Sequence, residues 1–421
     1  MTALVGTEPR RLVGRQGMVL TLADQMVSSA ASFLLGVVVA RAGGADALGA
    51  FGVAFLIWLA VLGVNRALVN EPMTVLGADE YDRAEVRDGL LGSVSIGVAA
   101  ALAVAAGCGA AALGGLDPGV VLGLAPWLPS LLAQDYVRAL AFRRQRADQA
   151  LAIDLVFGGV QAALTVLLFL TDRHTTGWFL GAWGVGATAG ALVGMLLHRF
   201  GGFGGARGAL RRLRALWPKS RWFLAEFLTS FPADQGYLLL LPLLIGTADF
   251  GMYRAGASLI GPVVVVFVAG GNIGLPESVR RLRQDGLPGL SSYATKLTMG
   301  IVAMTVLYCG AAAALAVPLL TLSYGAEFAG AALVTYFVAG QYAIYALCFG
   351  WGIAMKTAGA MRLLWTVRLV SVVVSVTSVI TFTSLWGLSG AALAGVVAAT
   401  AYSTGVLTGS RRLAKHLDRP Q

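Results

Sequence analysis

The chain is 421 residues long, 57% hydrophobic and only 12% charged, with a mean hydropathy of +0.77. That balance excludes a soluble globular domain, which needs far more polar surface to stay in water. The formal charge of +10 raises nucleic acid as a partner, but the cations are spread over many loops of an apolar chain, where anionic lipid headgroups answer them instead.

About 20 apolar residues cross a hydrocarbon core as a helix. Apolar runs between polar punctuation predict roughly twelve such spans, near 17–40, 47–69, 89–113, 119–140, 151–171, 176–198, 222–246, 254–275, 295–321, 330–352, 363–384 and 386–408. The alternating ten-residue pattern of a membrane barrel does not occur, so the predicted fold is an all-α integral membrane protein. The first run follows Arg10, Arg11 and Arg15, is longer than a signal-peptide core and contains Asp24 and Gln25. It is predicted to stay as a span.

An outer turn, Ala45-Asp46-Ala47-Leu48-Gly49-Ala50-Phe51, leads into the second span, which carries Arg66 and exits at Asn70-Glu71-Pro72. The fourth span holds Asp135 and Arg138, and the fifth opens with Asp154. On the sixth, Gly186, Gly190 and Gly194 make small-residue steps of four on one face, which lets another helix approach closely. The longest and most basic connection runs from Arg199 to Arg221 and contains Gly201-Gly202-Phe203-Gly204-Gly205. It divides the chain into an N-terminal six-helix lobe (1–200), a basic cytoplasmic linker (201–221), a C-terminal six-helix lobe (222–410) and a basic tail (411–421).

The seventh span holds Glu226, Pro232, Asp234, Gln235 and Pro242. Two prolines in one span imply a bent or broken helix, tolerated where the freed carbonyls meet protein or water, and mark it as a gating element. The next turn, Ala248-Asp249-Phe250-Gly251-Met252-Tyr253, repeats the first outer turn, with Asp shortly before Gly-x-aromatic, and Arg254 follows it. The eighth span exits at Leu275-Pro276-Glu277. Two halves of six spans start on the same side, so the axis relating them lies along the membrane normal.

All Lys and Arg except Arg41, Arg66, Arg173 and Arg254 fall on one side of this arrangement. Positive loops stay in the cytoplasm, which places both termini there. Cys108, Cys309 and Cys348 have no partner at short spacing, and His174, His198 and His416 lie far apart, so no disulfide framework or metal site is predicted. No Walker loop, kinase set or nucleophile elbow appears, so ATP use within the chain is not expected.

Ionisable groups at membrane depth cost about 2.5–3.5 kcal/mol each on insertion scales, so each one points to function. The deepest are Asp24, Arg66, Asp135, Asp154, Glu226 and Asp234. One reading makes Arg66, helped by Arg138 and Arg254, the site of an anionic head such as a diphosphate, which the guanidinium fork fits. Asp24 and Asp234, with Gln25, Gln235 and Glu226, then serve a coupling H+ or Na+ or the gate. The structural alternative pairs Arg66 with Glu71 or Asp24, and Asp135 with Arg138 across one helical turn.

Several phrases together resemble bacterial oligosaccharide flippases. These are Leu22-Ala23-Asp24-Gln25-Met26-Val27-Ser28-Ser29, Val39-Ala40-Arg41-Ala42-Gly43-Gly44, and Arg138-Ala139-Leu140-Ala141-Phe142-Arg143-Arg144-Gln145-Arg146 followed by Ala150 and Asp154. In the second half, Ser323-Tyr324-Gly325-Ala326-Glu327-Phe328-Ala329-Gly330-Ala331 is similar to the turn before the family's tenth span, and Trp386-Gly387-Leu388-Ser389-Gly390-Ala391-Ala392 to the phrase opening its last. The flippases belong to the multidrug, oligosaccharidyl-lipid and polysaccharide exporter superfamily, and the resemblance runs along nearly the whole chain. It implies two six-helix lobes around a central cationic cavity in a bacterial plasma membrane. It also implies alternating access that delivers an undecaprenyl-diphosphate-linked saccharide to the outer leaflet for surface polysaccharide synthesis, alongside glycan-assembly proteins.

The competing reading within the superfamily is a cation-coupled multidrug exporter, with Asp24, Glu226 and Asp234 in its cavity. A membrane-embedded glycan polymerase or ligase needs a sizeable outer loop to position reacting groups, and the outer loops here are short. An assembly scaffold would leave the intramembrane charges as unexplained cost. The chain is therefore expected to be a transporter and not an enzyme, without a cofactor.

Overall fold

The structure is a computed structural model, describing residues 15–75, 83–107, 118–200 and 206–417. Cys108, Arg10, Arg11, the Gly201–Gly205 hinge and the predicted end of the third span lie outside the described residues, as do the side chains of Asp234 and His416. Among the described residues every regular element is helical.

Among the described residues nine stretches are long and apolar enough to cross a membrane. Three of them, 55, 52 and 51 residues long, would each run about 76–83 Å if straight, against roughly 30 Å of hydrocarbon. Each is broken at a glycine with positive φ, Gly44, Gly286 or Gly387, and so makes two passages. Gly236–Ser258 is likewise broken at Gly246, into the end of the seventh passage and the start of the eighth. The result is the twelve passages that hydropathy predicts, and a multi-pass membrane protein.

The seventh passage breaks where its prolines foretell. Helix Ala206–Asp234 stops, Gln235 takes φ −139°, a 3-10 turn covers Gly236–Leu240, and helix Leu241–Ser258 resumes with Pro242 in its first turn. From Ala206 onward the basic segment before this passage is part of that 29-residue helix.

The chain folds as two compact units. The first comprises Met1–Leu35, Val61–Gly107 and Val121–Leu224. Its core gathers Val69, Met73, Leu90, Tyr136, Leu140 and Ile153. The glycine face of the sixth passage works as its spacing predicts: Gly186 lies against the Phe157 carbonyl, Gly190 against the Ile153 carbonyl and Gly194 against Val137. A side chain at any of the three would push the fifth or fourth passage away.

The second unit comprises Gly36–Ala60, Cys108–Val120 and Ala225–Gln421. Its core runs through Leu56, Leu241, Phe250, Ile260, Val334 and Ala391, with a second cluster around Ala40, Leu48, Leu320 and Phe328. The repeated turns meet inside this unit. Gly44 (φ +69°) and Gly246 (φ +81°) hold matching left-handed positions, which only glycine adopts readily. Five residues after each break, Gly49 and Gly251 cross. A Cβ on Gly49 would overlap the Thr247 carbonyl oxygen, and one on Gly251 would overlap that of Ala45, so the contact is main chain on main chain and reciprocal. The register aligns Phe51 with Tyr253, and Asp46 instead accepts a 2.7 Å hydrogen bond from the Thr247 hydroxyl. Nearby, Arg41 donates to the carbonyls of Thr321, Leu322 and Ser323, the last at 2.8 Å. These close the C-terminal end of helix Ala316–Ser323, where carbonyls lack intrahelical partners.

Candidate functional site

The first unit holds two separate networks of carboxylate and guanidinium, both organised by helix Leu128–Arg143. Gln134 and Arg138 share one face of that helix, four residues apart, while Asp135 points off the neighbouring face. In the first network Arg66 meets Asp135 with its fork: Nη2 lies 2.6 Å from Oδ1, and Nε 3.2 Å from both oxygens. The Asn70 amide adds a 2.7 Å bond to the other oxygen. Arg66 and Asn70 both reach one carboxylate because residues Arg66–Asn70 form a π-helical turn, closed from the Glu71 N–H to the Arg66 carbonyl. Such extra-residue turns re-aim side chains and recur at functional sites. Asp135 is buried, while the Arg66 side chain keeps 46% of its surface exposed.

In the second network Arg138 bridges two acids on different helices. It pairs with Asp24 through Nη2 and with Asp154 through Nε at 2.9 Å. Gln134 donates to the other Asp154 oxygen at 2.8 Å, and the guanidinium lies 5.2 Å from the centre of the Phe142 ring. Asp24 and Asp154 are shut off from solvent. Oδ1 of Asp24 is buried and accepts no hydrogen bond from the described residues. Across both networks three carboxylates face two guanidinium groups.

The second unit handles its cation differently. Arg254 is half-buried and lies with its guanidinium 4.9 Å from the centre of the Phe55 ring, with its stem laid across Gly52. Among the described residues no carboxylate comes within ion-pair reach of it. The same unit contains a run of rings, Phe349 to Phe267 to Tyr342 to Tyr345 to Tyr402, with successive centroids 5.3 to 6.3 Å apart. Buried Tyr237 and Tyr253 belong to the same unit.

Of the residues singled out in the sequence, Asp24, Arg66 and Arg138 sit in these networks and Arg254 sits alone. Gln25 is exposed and bonds only Ser29 within its own helix, at 3.3 Å. Glu226 is exposed. Gln235 is half-buried at the break of the seventh passage, and Asp234 ends the preceding helix with its side chain outside the described residues. Arg66 takes Asp135 as its closest acid, and Arg138 reaches across to Asp24 and Asp154. Sequence reasoning counted Asp135 and Asp154 among the deep ionisable groups without giving either its true partner, and it passed over Gln134 and Asn70. Their only signal was polarity inside apolar runs.

The sequence matches no protein-family model and no curated protein. Solved structures share its fold. An inward-facing multidrug resistance MATE family transporter of the MOP superfamily superposes with a TM-score of 0.70 at 13% identity, covering 96% of this chain and 99% of that one. The lipid II flippase MurJ in an inward closed conformation gives 0.67 at 10% identity, over 96% of this chain and 94% of the other. A MOP superfamily transporter from Pyrococcus furiosus Vc1 (DSM3638), described as having a binding pocket of reverse polarity, gives 0.59 at 15% identity over 97% and 96%. The chain has the two-lobe helical fold of that superfamily.

Proposed function

We propose that the protein is an alternating-access transporter carrying an undecaprenyl-diphosphate-linked oligosaccharide from the inner to the outer leaflet of a bacterial plasma membrane. The observation that carries this reading is Arg254, a permanent cation within an apolar passage that faces a ring and, among the described residues, no carboxylate. Such a charge is expensive at membrane depth without a counter-ion, and a diphosphate supplies one in bidentate geometry. Arg66 and Arg138 contribute in another manner, because an incoming anion must compete with Asp135, or with Asp24 and Asp154, for them. Competition of that kind gives the ligand different affinities in two conformations, which is what a shift between inward and outward states requires. The shared fold with a lipid II flippase supports the reading by analogy. Both termini are then cytoplasmic, glycan-assembly proteins are the natural partners, and the membrane potential acts with about 2.3 kcal/mol per translocated charge per 100 mV.

The test is outer-leaflet display of the lipid-linked glycan in cells that carry variants. Arg254→Met abolishes display at unchanged protein level and leaves the unfolding midpoint in detergent where it was, while Arg254→Lys keeps part of it. Normal display in Arg254→Met sinks the reading.

A second reading, a cation-coupled multidrug exporter, is favoured by the open Oδ1 of Asp24 beside the equally buried Asp154. Under it, Asp24→Asn stops H+- or Na+-driven dye efflux and leaves glycan display intact.

A further inference from the structure

Helix Ala206–Asp234 begins well before the seventh passage. Its opening turns carry Arg207, Arg211, Arg212, Arg214, Lys219 and Arg221, a density of charge that hydrocarbon does not admit. One face of these turns is docked within the first unit. Gly208 lies against the Asp88 carboxylate, Arg212 pairs with Glu85 at 3.0 Å, and Leu213 fits over Gly92. Ala209, Leu216 and Ser220 are buried on that face.

The opposite face is bare. At about 100° per residue, Arg207, Arg211, Arg214 and Arg221 fall within roughly a quarter turn of one another. Leu210 and Trp217 edge this stripe on one side and Trp222 on the other, 51%, 51% and 69% exposed. Arg211 approaches Asp88 only at 3.8 Å, and Arg207, Arg214 and Arg221 have no carboxylate within ion-pair reach among the described residues. Guanidinium groups in the middle with indole and leucyl side chains at the margins suit a helix at headgroup level, where the cations meet phosphates and the rings enter the acyl boundary. A free phosphate or an acidic protein would engage the arginines and leave the tryptophans without a role.

The docked face leads to the first charge network. Ser220 donates its hydroxyl to the Leu68 carbonyl at 3.0 Å. Leu68 lies in the π-helical turn Arg66–Asn70 that aims Arg66 and Asn70 at Asp135.

We propose that the exposed face of 207–222 is a docking surface for anionic phospholipid, and that its occupancy, passed on through Ser220, steadies the π turn and with it the Arg66–Asp135 pair. The inference is independent of what the protein transports. The test takes the full chain in detergent and adds phosphatidylglycerol, phosphatidylcholine or inorganic phosphate, reading lipid retention by native mass spectrometry and hydrogen exchange over 66–70. Phosphatidylglycerol is retained and slows that exchange at least about threefold, while the other two do neither. Each of Arg207→Gln, Arg214→Gln and Arg221→Gln lowers retention about fivefold. Ser220→Ala retains the lipid and loses the exchange protection. Equal retention of phosphatidylcholine, an equal effect of phosphate, or retention indifferent to the three arginines overturns the docking surface. Full protection in Ser220→Ala overturns the link to the π turn.

Discussion

The two units keep positive charge inside an apolar fold by opposite means. In the first, each guanidinium is fastened to carboxylates from other helices: Arg66 to Asp135, and Arg138 to Asp24 and Asp154. In the second, Arg254 lies against the Phe55 ring, in a unit whose interior is organised by aromatic stacking and by main-chain contact at Gly49 and Gly251. The difference teaches where each unit is vulnerable. Removing one member of a buried ion network strands the others, whereas removing a cation with no counter-charge strands nothing.

The comparison breaks first at Arg138. Arg138→Ala leaves two buried carboxylates facing each other and is expected to lower stability by about 3–5 kcal/mol, read as the unfolding transition in detergent. Arg138→Met combined with Asp24→Asn and Asp154→Asn recovers most of that loss. If the single variant is as stable as the parent, the network is not what holds this part of the first unit.

A smaller effect is expected at the crossing in the second unit. Gly251→Val forces a side chain into the Ala45 carbonyl and costs about 1–3 kcal/mol, with Val at the neighbouring exposed Leu244 serving as the control. Equal stability of the two variants would mean that the helices separate there without penalty.

The smallest effect sharpens the ionic side of the comparison. His198, just beyond the sixth passage, donates from Nε2 to the Val137 carbonyl at 3.0 Å, and Arg144 approaches Nδ1 at 3.3 Å. Burial, and then the nearby Arg144 and Arg146, push its pKa below the usual value of 6.5, while the Val137 bond opposes them. The folded protein therefore holds the ring neutral where the unfolded chain binds a proton. Stability falls as pH drops below about 6.5 and levels off beneath the folded pKa. His198→Gln flattens that slope, and a slope left unchanged would assign it to another group.

Much of the architecture was legible because its signals are one-dimensional. Apolar length gives the passages, Pro232 and Pro242 foretell the broken seventh, and Gly186, Gly190 and Gly194 mark a face that other helices do approach. The charge networks were not legible in the same way. Asp135 and Arg138 stand three residues apart on one helix, the spacing of a self-satisfied pair, yet each turns to a different neighbour. Which helices stand beside one another is invisible in sequence when most of them are apolar on every side. The repeat of the outer turns was visible in its Gly-x-aromatic wording, but not the direct main-chain crossing of Gly49 and Gly251 that it sets up.

Arg41 is bound in a way that carries its own consequence. Its guanidinium is gripped by the carbonyls of Thr321, Leu322 and Ser323, oxygens that every residue type supplies alike. The side chains at those three positions can therefore be exchanged without removing an acceptor. The clasp is written into the chain at one place only, the side chain of residue 41.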